Sequence, residues 1–197
     1  MTRAVIFLDR DGTLNVDQGY IYRPEDWEFT DRALEALRDL REASYSIALV
    51  TNQSGIGRGY FTLDDVHVLH QHVQERLGEQ GVRLDAVAVC PHAPGDGCEC
   101  RKPRTGMARQ IETQLGEPIA YNRSWVIGDK LCDLDFGRAL GVQVALLQSR
   151  YWDAARLQEA PALIANSLYE SAQAILDACR RVIEENWPRG QLTEHDV

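Results

Sequence analysis

The chain contains no run of about 18 apolar residues, the length a membrane-crossing helix requires, so no span of that kind is expected. It is also short of bases: Lys and Arg number 21 against 30 Asp and Glu, for a formal net charge of −9. Proteins that neutralise a phosphate backbone carry a basic patch or stripe, and this balance argues against a nucleic-acid partner. A small phosphorylated ligand stays open, because a few cations and backbone N–H groups can hold one locally. Internal repeats, low-complexity blocks and interdomain linkers are lacking. The first apolar stretch, Ala4 to Leu8, runs straight into Asp9, Arg10 and Asp11, unlike a secretory signal, and a cytoplasmic location is expected. Nor do the five cysteines form a dispersed disulfide framework: Cys90, Cys98 and Cys100 cluster with His92, while Cys132 and Cys179 stand alone. In a cytosolic chain such a cluster is more often a metal site.

What is present is ordinary globular material. The 197 residues are 44% hydrophobic and 26% charged, enough for one domain with a substantial core. That domain is expected over residues 1–185, with a flexible tail over 186–197, where apolar periodicity stops. Short apolar runs read as buried strands at Ala4–Leu8, Ser46–Val50, Ala86–Val89, Trp125–Ile127, Val142–Leu147 and, at a sheet edge, Ala162–Ala165. Amphipathic helical patterns lie between them at Asp31–Glu42, Thr62–Gly78, Met107–Leu115 and Asp133–Leu140. A last helix starts near Ser167 or Ser171. Thr62 with Asp65 is a capping-box variant, and Gly141 is placed to stop its helix. This alternation predicts an open, mainly parallel α/β sheet with helices on both faces. Ligands of such sheets sit beyond the carboxyl ends of the strands, where Asp9, Thr51, Cys90 and Asp129 fall.

Four elements carry phosphoryl chemistry, and a fifth is a metal cluster. Asp9-Arg10-Asp11-Gly12-Thr13 follows the first strand. Two aspartates at i, i+2 beside a glycine turn can reach one phosphoryl group, one as nucleophile and the other as general acid and base; the plainer alternative is an acidic turn with capping roles. Gly128-Asp129-Lys130 through Asp133 follows another strand and adds carboxylates, whose charge calls for a hard cation, Mg²⁺ being expected. Thr51-Asn52-Gln53-Ser54 offers hydroxyl, amide and backbone donors to phosphate oxygens, and Arg101-Lys102-Pro103 offers cations. Cys90-Pro-His92, then Cys98-Glu-Cys100, supplies three soft thiolates and one imidazole, the set of a closed tetrahedral zinc site. Free thiols, a redox pair or iron in place of zinc are the alternatives. Cys132 and Cys179 are expected as buried apolar residues. His67, His70, His72 and His195 receive no role and are expected at surface or interhelical positions.

In this order and combination the four elements resemble the haloacid dehalogenase superfamily of phosphatases, over roughly residues 4 to 148. The resemblance implies Asp9 as nucleophile, Asp11 as general acid/base, and Thr51 and Lys102 steadying the phosphoryl group. It also implies magnesium on Asp9, the Asp11 backbone carbonyl and Asp129, with structural zinc on Cys90, His92, Cys98 and Cys100. The opening FLDRDGTLNVDQGY, the segment TNQSGIGRGYFT and the thiol loop running into Cys100-Arg101-Lys102-Pro103 are similar to the heptose bisphosphate phosphatases of nucleotide-heptose and lipopolysaccharide synthesis. That likeness implies substrate contacts at Asp17, Gln18, Gly19, Tyr20, Thr51, Asn52, Gln53, Ser54, Arg101, Lys102 and Lys130. The compact spacing between His92 and Cys98 instead resembles histidinol-phosphate phosphatases of histidine synthesis.

The gaps from Thr13 to Thr51 and from Thr51 to Lys102 leave no room for the cap domain many superfamily members carry. Loops, the thiol loop among them, would then shape access. A catalytically silent phosphate-binding protein would be expected to lose Asp9 or Asp11, and both are present. A zinc-ribbon nucleic-acid module would carry bases and aromatics around its cysteines, where this loop has Asp96 and Glu99. Asp11 counts against dehalogenase chemistry, and the missing cap against a phosphomutase. The expectation is a monomeric, magnesium-dependent phosphomonoester hydrolase acting through an aspartyl-phosphate on a small phosphorylated metabolite, a heptose bisphosphate.

Overall fold

The computed structural model describes residues 2–186. Six strands form one parallel sheet in the order β3-β2-β1-β4-β5-β6: β1 (Val5–Leu8), β2 (Ser46–Asn52), β3 (Ala86–Cys90), β4 (Trp125–Gly128), β5 (Gln143–Leu147) and β6 (Leu163–Ala165). Each expected strand is present to within two residues at either end, and the weak one lies at the sheet edge. The helices are α1 (Ala33–Glu42), the short α2 (Ser54–Gly57), α3 (Leu63–Gly78), α4 (Gly106–Leu115), α5 (Leu131–Leu140) and α6 (Leu168–Asn186).

Continuous apolar runs suit strands covered on both faces. Ile6 and Leu8 of β1 point into the core beneath α1, α3 and α6, while Val5 and Phe7 point into the core beneath α4 and α5. β2 divides in the same way, Ile47 and Leu49 against Ala48 and Val50. Burying one such side chain stabilises by about 1.5–3 kcal/mol, and a one-residue slip would send each to the wrong face. Helix ends follow local chemistry. Thr62 Oγ1 accepts from the Asp65 N–H at 3.1 Å and Asp65 Oδ2 accepts from the Thr62 N–H at 2.7 Å, the reciprocal pair the sequence predicts. Gly141 ends α5 at φ +70°.

Several readings change. Helix α5 starts at Leu131, ahead of Asp133, because Asp133 Oδ2 accepts the Lys130 N–H at 3.0 Å and so caps its own helix. Cys132 and Cys179 are half-buried instead of buried. His67 is exposed and His72 half-buried, but His70 lies on the inner face of α3 and is buried. The expected tail falls outside the described residues except for Asn186, which ends α6; His195 lies outside them as well. No helix among the described residues is long and apolar enough to cross a membrane.

The strand order reverses at β1 and β4, and a crevice opens at the carboxyl ends of strands where that happens. Asp9 follows β1 and Asp129 follows β4, one on each side of that point.

Candidate active site at the strand ends

β1 ends in a turn that returns on itself: the N–H groups of Thr13, Leu14 and Asn15 all point to the Arg10 carbonyl, and the Gly12 N–H bonds Asn15 O at 2.8 Å. Gly12 adopts φ +85°, and a Cβ there would collide with the Asp129 carboxylate, so only glycine fits. Asp9 heads this turn and is buried, while Asp11 within it is half-buried.

Asp9, Asp129 and Asp133 are all buried, and their carboxylate oxygens lie within 4.8 Å of one another. Lys102 is buried among them, with Nζ 2.6 Å from Asp9 Oδ1, 2.6 Å from Asp133 Oδ1 and 2.8 Å from the Val50 carbonyl. Burial alone would lower its pKa; the Asp133 and Asp9 charges overcome that and raise it. Lys130 Nζ sits 2.8 Å from Asp129 Oδ1 and 3.0 Å from the Asp11 carbonyl oxygen. Three carboxylates against two ammonium groups leave an excess negative charge. Asp129 shows the strain of it: burial, with Asp9 and Asp133 nearby, pushes its carboxyl up to about 7 despite Lys130.

The donor set fits magnesium. It is all oxygen, with Asp9 and Asp129 buried and Asp11 half-buried, and Lys130 already presents a positive charge to the Asp11 carbonyl and Asp129, two of the three oxygen sources expected for the ion. Asp133 was expected among the carboxylates that follow β4, but not as a member of the ion's ligand set. It lies one helical turn beyond Asp129, and Gly128 makes room for it, since a Cβ at Gly128 would strike the Asp133 carboxylate.

The Asp11 carboxylate faces a separate set of donors. Arg10, itself fully buried, ion-pairs with it at 3.0 Å while also donating to the Ile21 carbonyl at 2.7 Å. Asn15 Nδ2 reaches Asp11 Oδ1 at 3.2 Å, and Gln53 Nε2 reaches Oδ2 at 2.9 Å. Thr51 is buried at the end of β2, its hydroxyl oxygen 2.8 Å from Gln53 Nε2. Asn52 exchanges two hydrogen bonds with the Lys102 backbone, at 3.0 and 3.3 Å. Ser54 opens α2.

The remaining expected contacts spread around the rim. Asp17 Oδ2 accepts from the Tyr151 hydroxyl at 2.7 Å and lies 3.7 Å from Lys130 Nζ. The Tyr151 ring lies 4.7 Å beneath the Lys130 ammonium, and sequence reading gave Tyr151 no part. Gln18 turns outward to Glu28, and Gly19 takes φ +102°. Tyr20 is half-exposed and packs edge-on against Tyr60, 4.9 Å between ring centres. Arg101 donates to the His92 carbonyl at 3.2 Å, leaning on the thiol loop.

In that loop the ligand atoms of Cys90, His92, Cys98 and Cys100 also lie within 4.8 Å of one another. The Cys90 and Cys98 sulfurs are 3.7 Å apart, and His92 Nδ1 is 3.7 Å from Cys90 Sγ and 3.2 Å from Cys100 Sγ. A tetrahedron with Zn–S bonds of about 2.3 Å has edges of about 3.8 Å, so the cluster could hold zinc. Burial pushes the Cys90 thiol up to about 12.

Residues 4–140 match the family described as polynucleotide kinase 3 phosphatase. The D-glycero-beta-D-manno-heptose-1,7-bisphosphate 7-phosphatase of Pseudomonas aeruginosa is 39% identical over 76% of this chain and 83% of its own length. The Haemophilus influenzae protein of the same name is 43% identical over 72% and 79%. Among solved structures, D,D-heptose 1,7-bisphosphate phosphatase from B. bronchiseptica, complexed with magnesium and phosphate, superposes with a TM-score of 0.80 at 31% identity, covering 89% of this chain and 99% of that one.

Proposed function

The chain belongs to the polynucleotide kinase 3 phosphatase family of haloacid dehalogenase-like phosphatases, and from that premise we propose that it removes the 7-phosphate of D-glycero-β-D-manno-heptose 1,7-bisphosphate. It is a phosphatase. The observation that carries the chemistry is the pairing of a buried, lysine-bound carboxylate, Asp9, with a second carboxylate two residues on, Asp11, held by its own donors.

In this reading an Asp9 oxygen attacks phosphorus and the bond from phosphorus to the sugar oxygen breaks. Lys102, beside Asp9, and the Thr51 hydroxyl counter the charge on the phosphoryl oxygens. Asp11 gives its proton to the departing sugar oxygen. Water then attacks the aspartyl-phosphate while Asp11 takes its proton, so inorganic phosphate leaves and both carboxylates return to their starting state. Asp9, the Asp11 carbonyl and Asp129 would hold Mg²⁺, which supplies charge cancellation between nucleophile and phosphate when bound. Cys90, His92, Cys98 and Cys100 would hold Zn²⁺ and fix the loop bearing Arg101 and Lys102. Asp17 to Tyr20, Asn52, Ser54, Arg101 and Lys130 line the substrate's approach, and the protein works as a cytoplasmic monomer.

The test is phosphate release with magnesium, comparing both anomers of the heptose bisphosphate with histidinol phosphate. A large kcat/KM advantage for the β anomer supports the reading. Preference for histidinol phosphate overturns the substrate and leaves the phosphatase chemistry standing.

A further inference from the structure

Likeness to relatives gives Gln53 a place among substrate contacts, yet its side chain is turned away from solvent. It is 3% exposed, and its backbone N–H is tied to the Cys90 carbonyl at 2.8 Å. The side-chain nitrogen lies 2.9 Å from Asp11 Oδ2 and 2.8 Å from Thr51 Oγ1. An amide NH₂ has two hydrogens, so one group serves both neighbours. The assignment of nitrogen over oxygen at this position follows from charge: the amide oxygen turned toward the Asp11 carboxylate would repel it.

Each bond has a directional consequence. Because Thr51 Oγ1 accepts from Gln53, its own hydrogen must point elsewhere, and the hydroxyl is left as a donor. Because Asp11 Oδ2 accepts from Gln53 while Oδ1 accepts from Asn15, and Arg10 approaches both, the carboxylate is held against rotation about its last bond. Arg10 and Asn15 belong to the same turn as Asp11. Gln53 alone among these three donors comes from another strand end, and it is the one that also touches Thr51.

We propose that Gln53 is a positioning residue that fixes Asp11 relative to Thr51, setting the angle at which the acid meets the departing oxygen. The proposal rests on the reading of Asp11 as general acid/base. A donor held in place across two strand ends matters because displacement of a reacting group by about 1 Å can cost on the order of 100-fold in rate.

The experiment uses the full chain and measures first-turnover rates on two substrates, 4-nitrophenyl phosphate and an alkyl sugar phosphate. Nitrophenolate departs without a proton, whereas an alkoxide requires one. Gln53→Met keeps the volume and removes both donors; Asp11→Asn removes the acid itself. Gln53→Met should lose about 100-fold more on the alkyl ester than on the aryl ester, in kcat with little change in KM, at an unchanged melting temperature. Asp11→Asn should show a discrimination of the same sign. Equal losses of Gln53→Met on both esters, with Asp11→Asn still discriminating, overturn the positioning role and leave Asp11 in place. Loss of discrimination in Asp11→Asn overturns the reading of Asp11, and the proposal with it. A lowered melting temperature with equal losses marks Gln53 as structural and also overturns the proposal.

Discussion

The two polar clusters of this molecule adjoin in sequence, with Cys100 only two residues ahead of Lys102, and they are organised in opposite ways. The carboxylate cluster draws on β1, β4, α5 and a lysine from the next loop, all buried, and contains two of the cations that balance it. The thiol cluster draws only Cys90 from a strand; His92, Cys98 and Cys100 come from an irregular, partly exposed loop. The first is assembled by folding and is held by charge. In the second, burial holds the proton on the Cys90 thiol, and an ion must displace it before it can bind. The contrast suggests that damage to the first cluster is felt by the whole domain, and damage to the second by its loop.

Changes of decreasing size sharpen this contrast. Asp9→Asn should lower phosphate release by several orders of magnitude while the circular dichroism spectrum stays native; retained turnover would remove Asp9 from the nucleophile's role. Lys102→Met leaves Asp9 and Asp133 buried without their shared cation, and breaking such a group costs about 3–5 kcal/mol. Urea unfolding is the measure, and a loss below about 1 kcal/mol would mean the carboxylates find other compensation.

Acid provides the third comparison. His70 is buried on α3 with no protein partner for either ring nitrogen among the described residues. Burial, assisted by Arg10 and His67, drops its pKa to about 3. A lowered histidine pKa means that protonation favours the unfolded chain. The stabilisation is therefore complete above about pH 6.5 and is lost as pH falls from there towards 3, roughly 2 kcal/mol of it by pH 5. His70→Leu should flatten that part of the stability curve relative to the native chain; parallel curves would clear His70.

Smallest in its effect on the domain should be Cys98→Ser. It should abolish bound zinc, read by atomic absorption, and expose the loop to protease between Ala93 and Gly97, while the urea midpoint moves by only about 1 kcal/mol. A collapse as large as that of Lys102→Met would erase the distinction between the clusters.

How far the sequence reached depends on distance along the chain. Strands were legible because alternation between two cores leaves an unbroken apolar run, and α3 because Thr62 and Asp65 act within three residues of each other. The strand-end rule located Asp9, Thr51 and Asp129 by end of the sheet, without saying which atoms meet. Lys102 and Asp9 are 93 residues apart, and the sheet order β3-β2-β1 brings them together. Arg10 stands between two aspartates, and nothing local signals that it is wholly buried. Asp133 was legible as a carboxylate of the Gly128 motif, but not as the buried partner of Lys102. The side-chain amides of Asn52 and Gln53 were legible as polar, but not as fastened to the protein's own groups.

The Asn52–Lys102 exchange has one more implication. Two opposed hydrogen bonds between a side-chain amide and a backbone unit mimic a rung of a sheet, and they splice the chain back onto β2 just after the last thiol. Everything between His92 and Cys98 lies upstream of that splice. Insertions there lengthen a surface excursion at small entropic cost and do not reach the lysine, so the excursion can diverge in length between relatives while the reacting centre keeps its dimensions.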